Sequence, residues 1–166
     1  LATHDHEGRT ARLKESLGPI GAKFHGLNVN HGVEQILAAD GVYMGGGNSF
    51  LLNRDLHRYG LIDSLRDVVR QGMPYLGVSA GSNVACPTMM TTNDMPIVMP
   101  SSYEALGIVP FQINPHYYPG KITFFSEGES NDHFGESRRQ RISEYHQHES
   151  IPVLGLWEGS YVEWDG

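Results

Sequence analysis

The sequence contains a single cysteine, Cys86, among its 166 residues. One cysteine cannot form an internal disulfide, so the chain lacks the disulfide framework that stabilises many small secreted proteins. The sequence also lacks a signal-peptide pattern at Leu1 and any apolar run close to the roughly 20 residues that span a bilayer. We therefore expect neither a disulfide-rich nor a membrane-spanning protein, and the expected location is the cytoplasm.

Basic residues are also scarce. The chain has 12 lysines and arginines against 19 aspartates and glutamates, which gives a formal net charge of −7. No cluster of basic residues could neutralise a run of phosphates, so nucleic acid is not an expected partner. Cys86 lies seven residues after Ser79 and is interpreted as a small core residue.

Short apolar segments alternate with amphipathic ones along the chain. Leu61, Leu65 and Val68, for example, follow the i, i+4, i+7 spacing of a helix. Strands that alternate with helices predict an α/β fold with a mostly parallel sheet flanked by helices. The predicted strands are 22–29, 41–44, 73–78, 109–113 and two within 151–164; the predicted helices are 7–17, 33–39, 50–60, 61–72 and 134–147, with a surface loop at 126–133.

The segment GVSAG, residues 77–81, matches the pattern G-x-S-x-G. A strand that turns sharply into a helix needs small neighbours around the turning residue, and the pattern is typical of a nucleophile elbow. Ser79 is therefore the candidate nucleophile. A strand followed by a glycine-rich turn is the purely structural alternative.

A serine hydroxyl needs a base within hydrogen-bond reach, and histidine is the usual one. Of the nine histidines, His116 stands out because it follows a predicted strand, at the edge where functional groups gather in parallel sheets. His4 and His6 flank Asp5, but no matching carboxylate or cysteine cluster accompanies them, so no metal site is predicted.

Three glycines, Gly45 to Gly47, follow the predicted strand that ends at Met44. Such a turn can supply a backbone N–H to an oxyanion, or it can bind a phosphate. The dinucleotide fingerprint is incomplete here and no lysine accompanies it, so the oxyanion interpretation is favoured. The second donor would be the backbone N–H of Ala80.

Six blocks resemble the peptidase E family, the cytosolic aspartyl dipeptidases, in order and approximate spacing. They are GGGNSF, GVSAGSNVACP, TTNDMPIV, QINPHY, GESRRQRI and GLWEGS, and they cover residues 40–164. The resemblance implies a class I glutamine-amidotransferase-like, flavodoxin-like fold. It implies a serine peptidase that cleaves peptides with an N-terminal aspartate, with no metal or organic cofactor. Small peptides of this kind are then the expected partners.

The resemblance also implies roles for individual residues. Ser79 would be the nucleophile and His116 the general base, with the N–H groups of Gly47 and Ala80 as the oxyanion hole. Two acids match family motifs as the third member of the triad, Asp94 and Glu158. Glu158 is favoured because it follows a predicted strand, and Asp94 would then hold a loop.

By the same resemblance, Arg138 would bind the side chain of the substrate aspartate and Asn48 would help to hold it. A buried carboxylate needs a cationic, preferably bidentate partner, which suits an arginine. Arg139 and Arg141 are expected to face solvent or to pair with Glu136 and Glu144.

Chains of this family are longer at both ends, so residues 1–166 are expected to form one α/β domain that is part of a longer protein. A homodimer is one open expectation for its assembly. Three rival functions stay open. They are a cyanophycinase-like hydrolase of β-aspartyl peptides, an esterase of the α/β-hydrolase type, and a non-catalytic remnant that kept the serine turn.

Overall fold

The computed structural model describes residues 5–120, 123–133 and 137–166. Within these ranges short strands alternate with helices, so the α/β class predicted from the sequence is confirmed. The helices are α1 (His6–Leu17), α2 (Gly32–Leu37), α3 (Ser49–Arg58), α4 (Ile62–Arg70), α5 (Ala80–Val84) and α6 (Arg138–Tyr145). The strands are β1 (Val42–Met44), β2 (Tyr75–Gly77), β3 (Gln112–Pro115), β4 (Thr123–Ser126), β5 (Glu129–Asp132) and β6 (Val153–Leu156).

The strands form two parallel pairs and one antiparallel hairpin. β1 lies beside β2, with Met44 opposite Gly77. β3 lies beside β6, with Pro115 opposite Leu156. Because each pair is parallel, the chain leaves both of its strands at the same edge. The glycine turn and the serine turn are thus neighbours, as are the loops that carry the candidate histidine and glutamate.

The expected single sheet is interrupted between the two parallel pairs, since no ladder joins β2 to β3 among the described residues. The edge of β3 that faces away from β6 is bonded to side chains. The N–H of Ile113 donates to Cys86 Sγ at 3.0 Å, and its carbonyl accepts from Asn83 Nδ2 at 3.2 Å and Thr91 Oγ1 at 2.8 Å. These groups satisfy the backbone atoms that a neighbouring strand would otherwise pair.

One apolar cluster fills the space between helices α2 to α4 and strands β1 and β2. Leu61, Leu65 and Val68 are all 7% exposed or less, so the predicted helical spacing does mark a buried face. Full burial of one such side chain stabilises a fold by about 1.5–3 kcal/mol. Ala80 and Val84 of α5 belong to the same cluster, which fixes the helix that follows the serine turn.

Two predicted strands are absent. Residues 22–28 form no strand. This segment packs along α1, where a Cβ on Gly26 would lie 3.0 Å from Thr10 Oγ1. Residues 157–166 likewise form no second strand after β6. Trp164, in this segment, packs its ring against Phe111 with the centroids 5.7 Å apart, which is a side-chain contact and not backbone pairing between strands.

The prediction of a surface loop at 126–133 is wrong, because β4 and β5 pair there as a hairpin. Its turn residues, Glu127 and Gly128, have φ of 54° and 80°. Two consecutive positive φ values are what a tight two-residue hairpin turn requires. The polar residues of β5 gave no alternating apolar pattern, so the strand was not visible in the sequence.

The last predicted helix, 134–147, is observed from Arg138 to Tyr145, and its residues 134–136 lie outside the described ranges, as does His4. Ser137 caps α6 by accepting a hydrogen bond from Gln140 N at 3.2 Å. Across the described residues, no helix has both the length and the apolar character that a membrane crossing requires.

Candidate active site

Ser79 lies at a sharp turn between β2 and α5. Its φ and ψ are 54° and −112°. An L-residue rarely adopts such a conformation, which costs of order 1–3 kcal/mol and persists only where the surrounding structure enforces it. The turn directs the hydroxyl toward the loops at the carboxyl ends of the strands, where it meets His116.

The two glycines of the G-x-S-x-G pattern allow this turn to pack closely. A Cβ on Gly81 would lie 1.9 Å from the carbonyl oxygen of Met44, and one on Gly77 would lie 2.6 Å from that of Gly81. Neither position can hold a side chain unless the backbone moves. The Tyr75 hydroxyl donates to the same Gly81 carbonyl at 2.6 Å, and burial raises the pKa of that hydroxyl well above its ordinary value.

The glycine turn after β1 lies against the serine. A Cβ on Gly46 would be 3.1 Å from Ser79 Cβ and 3.5 Å from Ser79 Oγ. Gly47 follows with φ of 145°, in the range that favours glycine. The backbone of this turn can therefore approach a group bound at the serine more closely than a turn with side chains could.

His116 connects the two strand pairs. Its Nε2 lies 2.8 Å from Ser79 Oγ, and its Nδ1 is hydrogen-bonded to the Glu158 carboxylate. A carboxylate only accepts, so Nδ1 carries the hydrogen toward Glu158 and leaves Nε2 to accept the hydroxyl hydrogen of Ser79. The three groups thus form one hydrogen-bond chain from hydroxyl to carboxylate.

The backbone around His116 holds this arrangement. His116 has φ of 56°, another left-handed residue, immediately after β3. The next residue, Tyr117, donates its N–H to the carbonyl of Leu156 at 2.9 Å, which fixes the histidine loop beside the loop that carries Glu158. The side chains of His116 and Glu158 are 50% and 79% exposed, so the site opens to solvent on this side.

Asp94, the other candidate acid, lies at the start of α3 and not beside His116. Its carboxylate accepts a hydrogen bond from the backbone N–H of Ser49 at 2.6 Å, at the first residue of α3. A negative charge at a helix N-terminus is favourable because the first N–H groups have no partner within the helix. Of the two candidate acids, Glu158 contacts His116, and Asp94 fixes the start of α3 next to the glycine turn.

Asn48 caps the same helix. Its side-chain oxygen accepts from Leu51 N at 3.1 Å, and its Nδ2 donates to the carbonyl of Met95 at 2.9 Å. Its amide therefore links α3 to the loop that follows Asp94. This contact gives Asn48 a structural role in addition to the predicted one toward substrate.

Two residues that the sequence analysis did not single out support the histidine. Asn93 donates to the carbonyl of Pro115 at 2.6 Å, and Asn114 donates to Asn93 Oδ1 at 2.7 Å. The signal that could have found Asn93 is its place in the TTND block beside Asp94. Its partner on β3 could not be inferred without the fold.

Arg138 is the first residue of α6 and is half-buried. Among the hydrogen bonds of the described residues, none joins its guanidinium to Ser79, His116 or Glu158. Further along the helix, Arg141 pairs with Glu144 at 2.8 Å, as predicted. Glu136, the other expected partner, lies outside the described ranges.

No group of three or more histidine, cysteine, aspartate or glutamate side chains that could hold a metal ion occurs within 5–120, 123–133 and 137–166. The arrangement of Ser79, His116 and Glu158 suits nucleophilic attack by a serine hydroxyl, with a histidine as base.

Comparison with known proteins places these features in a family context. Peptidase family S51 matches the sequence over residues 1–166. A Streptomyces coelicolor protein named Peptidase E is 44% identical over 166 residues, which cover 99% of this chain and 65% of the relative. A Drosophila melanogaster protein named "Probable alpha-aspartyl dipeptidase" is 42% identical over 167 residues, which cover 99% of this chain and 67% of the relative. This chain thus spans about two thirds of the length of either relative.

A solved structure shares the fold. The crystal structure of a Listeria monocytogenes EGD-e protein, provisionally named peptidase E, aligns with a TM-score of 0.65 at 23% sequence identity. The alignment covers 86% of this chain and 66% of that one.

Proposed function

Because this chain belongs to peptidase family S51, we propose that it is a serine-type dipeptidase that hydrolyses peptides with an N-terminal aspartate, chiefly Asp-X dipeptides. The observation that carries the proposal is the hydrogen-bond chain from Ser79 through His116 to Glu158. The names of the Streptomyces and Drosophila relatives support the same activity.

In the proposed reaction, Ser79 Oγ attacks the carbonyl carbon of the aspartyl residue while His116 Nε2 takes the hydroxyl proton. Collapse of the adduct breaks the C–N bond, and the imidazolium gives that proton to the leaving amine. The second residue departs and the aspartyl group stays on Ser79 as an ester. Water, deprotonated by His116, then hydrolyses the ester and restores the hydroxyl.

Glu158 is the orienting acid in this scheme. Its contact with Nδ1 keeps His116 in the tautomer that accepts the serine proton, and its charge stabilises the imidazolium that forms. Asp94 is a loop-holding residue, which its contact with Ser49 supports.

The backbone N–H groups of Gly47 and Ala80 are the proposed oxyanion hole. Ala80 is the first residue of α5 and follows the nucleophile, and the glycine turn lies against Ser79 on the other side. Donors aimed at the developing oxyanion are worth about 10²–10³-fold in kcat each.

The strained conformation of Ser79, at a junction of strand and helix, supports its identification as a nucleophile elbow. The two parallel strand pairs and the Listeria structure support a flavodoxin-like fold of the class I glutamine-amidotransferase kind. For the substrate, Arg138 remains the proposed partner of the aspartate side chain, with Asn48 beside it. The half-buried position of Arg138 at the start of α6 is compatible with this role.

The test compares hydrolysis of Asp-Leu, Glu-Leu, Ala-Leu and β-aspartyl-arginine by the parent protein. We expect cleavage of Asp-Leu, much slower cleavage of the others, and loss of activity in Ser79→Ala. Ser143→Ala, an exposed hydroxyl on α6, is the matched control and should behave as the parent. Preferred cleavage of β-aspartyl-arginine would support the cyanophycinase-like alternative, and Asp-Leu cleavage unchanged in Ser79→Ala would contradict the mechanism.

A further inference from the structure

Arg9, on α1, contacts the glycine turn. Its Nη1 donates a hydrogen bond to the carbonyl oxygen of Gly46 at 2.7 Å, across 37 positions of sequence. α1 is anchored at its start by Asp5, which accepts from Gly8 N at 3.0 Å and pairs with Arg12 at 2.9 Å. The proposed reaction does not yet assign a role to this contact between Arg9 and the glycine turn.

The contact bears on the orientation of one peptide group. The chain has no cis peptide bond among its described residues, so the carbonyl of Gly46 and the N–H of Gly47 point in opposite directions within their shared peptide plane. A guanidinium that holds the carbonyl on the α1 side therefore directs the N–H away from α1. The side of Gly46 on which a Cβ would project faces Ser79, at 3.1 Å from the Ser79 Cβ, so this peptide borders the site.

We propose that Arg9 is a positioning residue that fixes the Gly46–Gly47 peptide, so that the Gly47 N–H stays directed to the oxyanion. This inference rests on the proposed function, because it assigns the role through the Gly47 donor. Arg9 touches neither the substrate nor the reacting atoms in this scheme.

The turn needs such a restraint because it is built from glycines. Gly45, Gly46 and Gly47 have no Cβ to restrict their dihedral angles, and a peptide between two glycines can rotate at little steric cost. A hydrogen bond from a charged donor is roughly twice as strong as a neutral one. It also withdraws electron density from the carbonyl, which strengthens the N–H of the same peptide as a donor.

The kinetic test replaces Arg9 by methionine, which keeps an apolar stem and removes the donor. Loss of an oxyanion donor costs about 10²–10³-fold, so misorientation of one donor should lower kcat by about tenfold and leave KM for Asp-Leu within about twofold. Lys14→Met, which removes an exposed cation from the same helix, is the matched control, and Arg9→Lys, which keeps one charged donor, should recover most of the lost kcat.

The second measurement needs no activity. In an HNCO spectrum one cross-peak joins the Gly46 carbonyl carbon to the Gly47 N–H, and Arg9→Met should shift this peak while Lys14→Met leaves it in place. If the HNCO peak position and the kcat of Arg9→Met both match those of Lys14→Met, the proposed role of Arg9 is overturned. A parent that neither cleaves Asp-Leu nor reacts with a serine-directed phosphonate would overturn the proposed function, whereas the HNCO peak would still decide whether Arg9 orients this peptide.

Discussion

Asn93 donates a hydrogen bond to the backbone carbonyl of Pro115 at 2.6 Å, one residue before His116. The next residue along the chain, Asp94, accepts from the N–H of Ser49, two residues after Gly47. A single loop thus ties the strand end that carries the histidine to the helix that follows the glycine turn. The separation between the base and the proposed oxyanion donor depends on this loop.

Asn93→Ala should weaken both the fold and the site. The change leaves the Pro115 carbonyl without the Asn93 donor and leaves the Asn114 amide with only its bond to the Thr91 carbonyl, and an unsatisfied buried polar group costs about 1–3 kcal/mol. We expect the free energy of unfolding, measured by urea titration, to fall by about this amount, with a lower kcat because the left-handed His116 loses its support. Unchanged values of both quantities would show that the loop does not hold the histidine.

Glu158→Gln and Asp94→Asn should separate the two acids. Because Glu158 contacts His116, its neutral replacement should lower kcat for Asp-Leu by about 10²–10⁴-fold with little change in the unfolding free energy. Asp94→Asn should instead lower stability by about 0.5–2 kcal/mol, the usual range for a group that caps a helix N-terminus. The reverse pattern would make Asp94 the orienting acid.

Gly81→Ala should prevent correct folding of the serine turn. The added Cβ would lie 1.9 Å from the Met44 carbonyl, and backbone rather than a flexible side chain would have to move. The matched control is Gly18→Ala, where φ is −54° and nothing lies within 4 Å of the new Cβ. That change should be neutral or should stabilise by up to about 1 kcal/mol. Equal thermal midpoints for the two variants would refute the packing argument.

Cys86 should make stability depend on alkaline pH. Burial raises the pKa of its thiol from 9.0 to about 12, so the folded chain holds this proton more tightly than the unfolded chain does. The resulting stabilisation is present below pH 9 and is lost as the pH rises toward 12. The unfolding free energy should therefore fall less steeply between pH 9 and 11 in Cys86→Ala than in the parent, while burial, the largest cause of the raised pKa of Tyr75, acts in both. Identical slopes would contradict a buried, protonated thiol.

The site and core residues that could be predicted from the sequence all lie in recognisable local patterns. Ser79 lies in a pentapeptide whose two glycines leave no room for a Cβ, which would lie only 1.9 or 2.6 Å from a backbone oxygen. Leu61 and Leu65 follow helical spacing because one face of α4 is buried. His116 could be predicted as a site residue because it follows a strand. The loops that follow parallel strands lie together at one edge of the sheet.

What the sequence did not reveal depends on contacts between distant segments. The bond of Asn93 to Pro115 and that of Arg9 to Gly46 join residues 22 and 37 positions apart, and no local periodicity marks either pair. The edge of β3 is satisfied by Cys86, Asn83 and Thr91, so apolar patterning alone wrongly favoured one continuous sheet.

The proposed mechanism requires that His116 and Glu158 make the hydroxyl of Ser79 a nucleophile. Intact-mass analysis after treatment with a serine-directed phosphonate tests it most directly. We expect one adduct per chain, mapped to Ser79, absent in Ser79→Ala and formed at least about 100-fold more slowly in His116→Ala. An unlabelled parent, or labelling that persists at the parent's rate in His116→Ala, would contradict it.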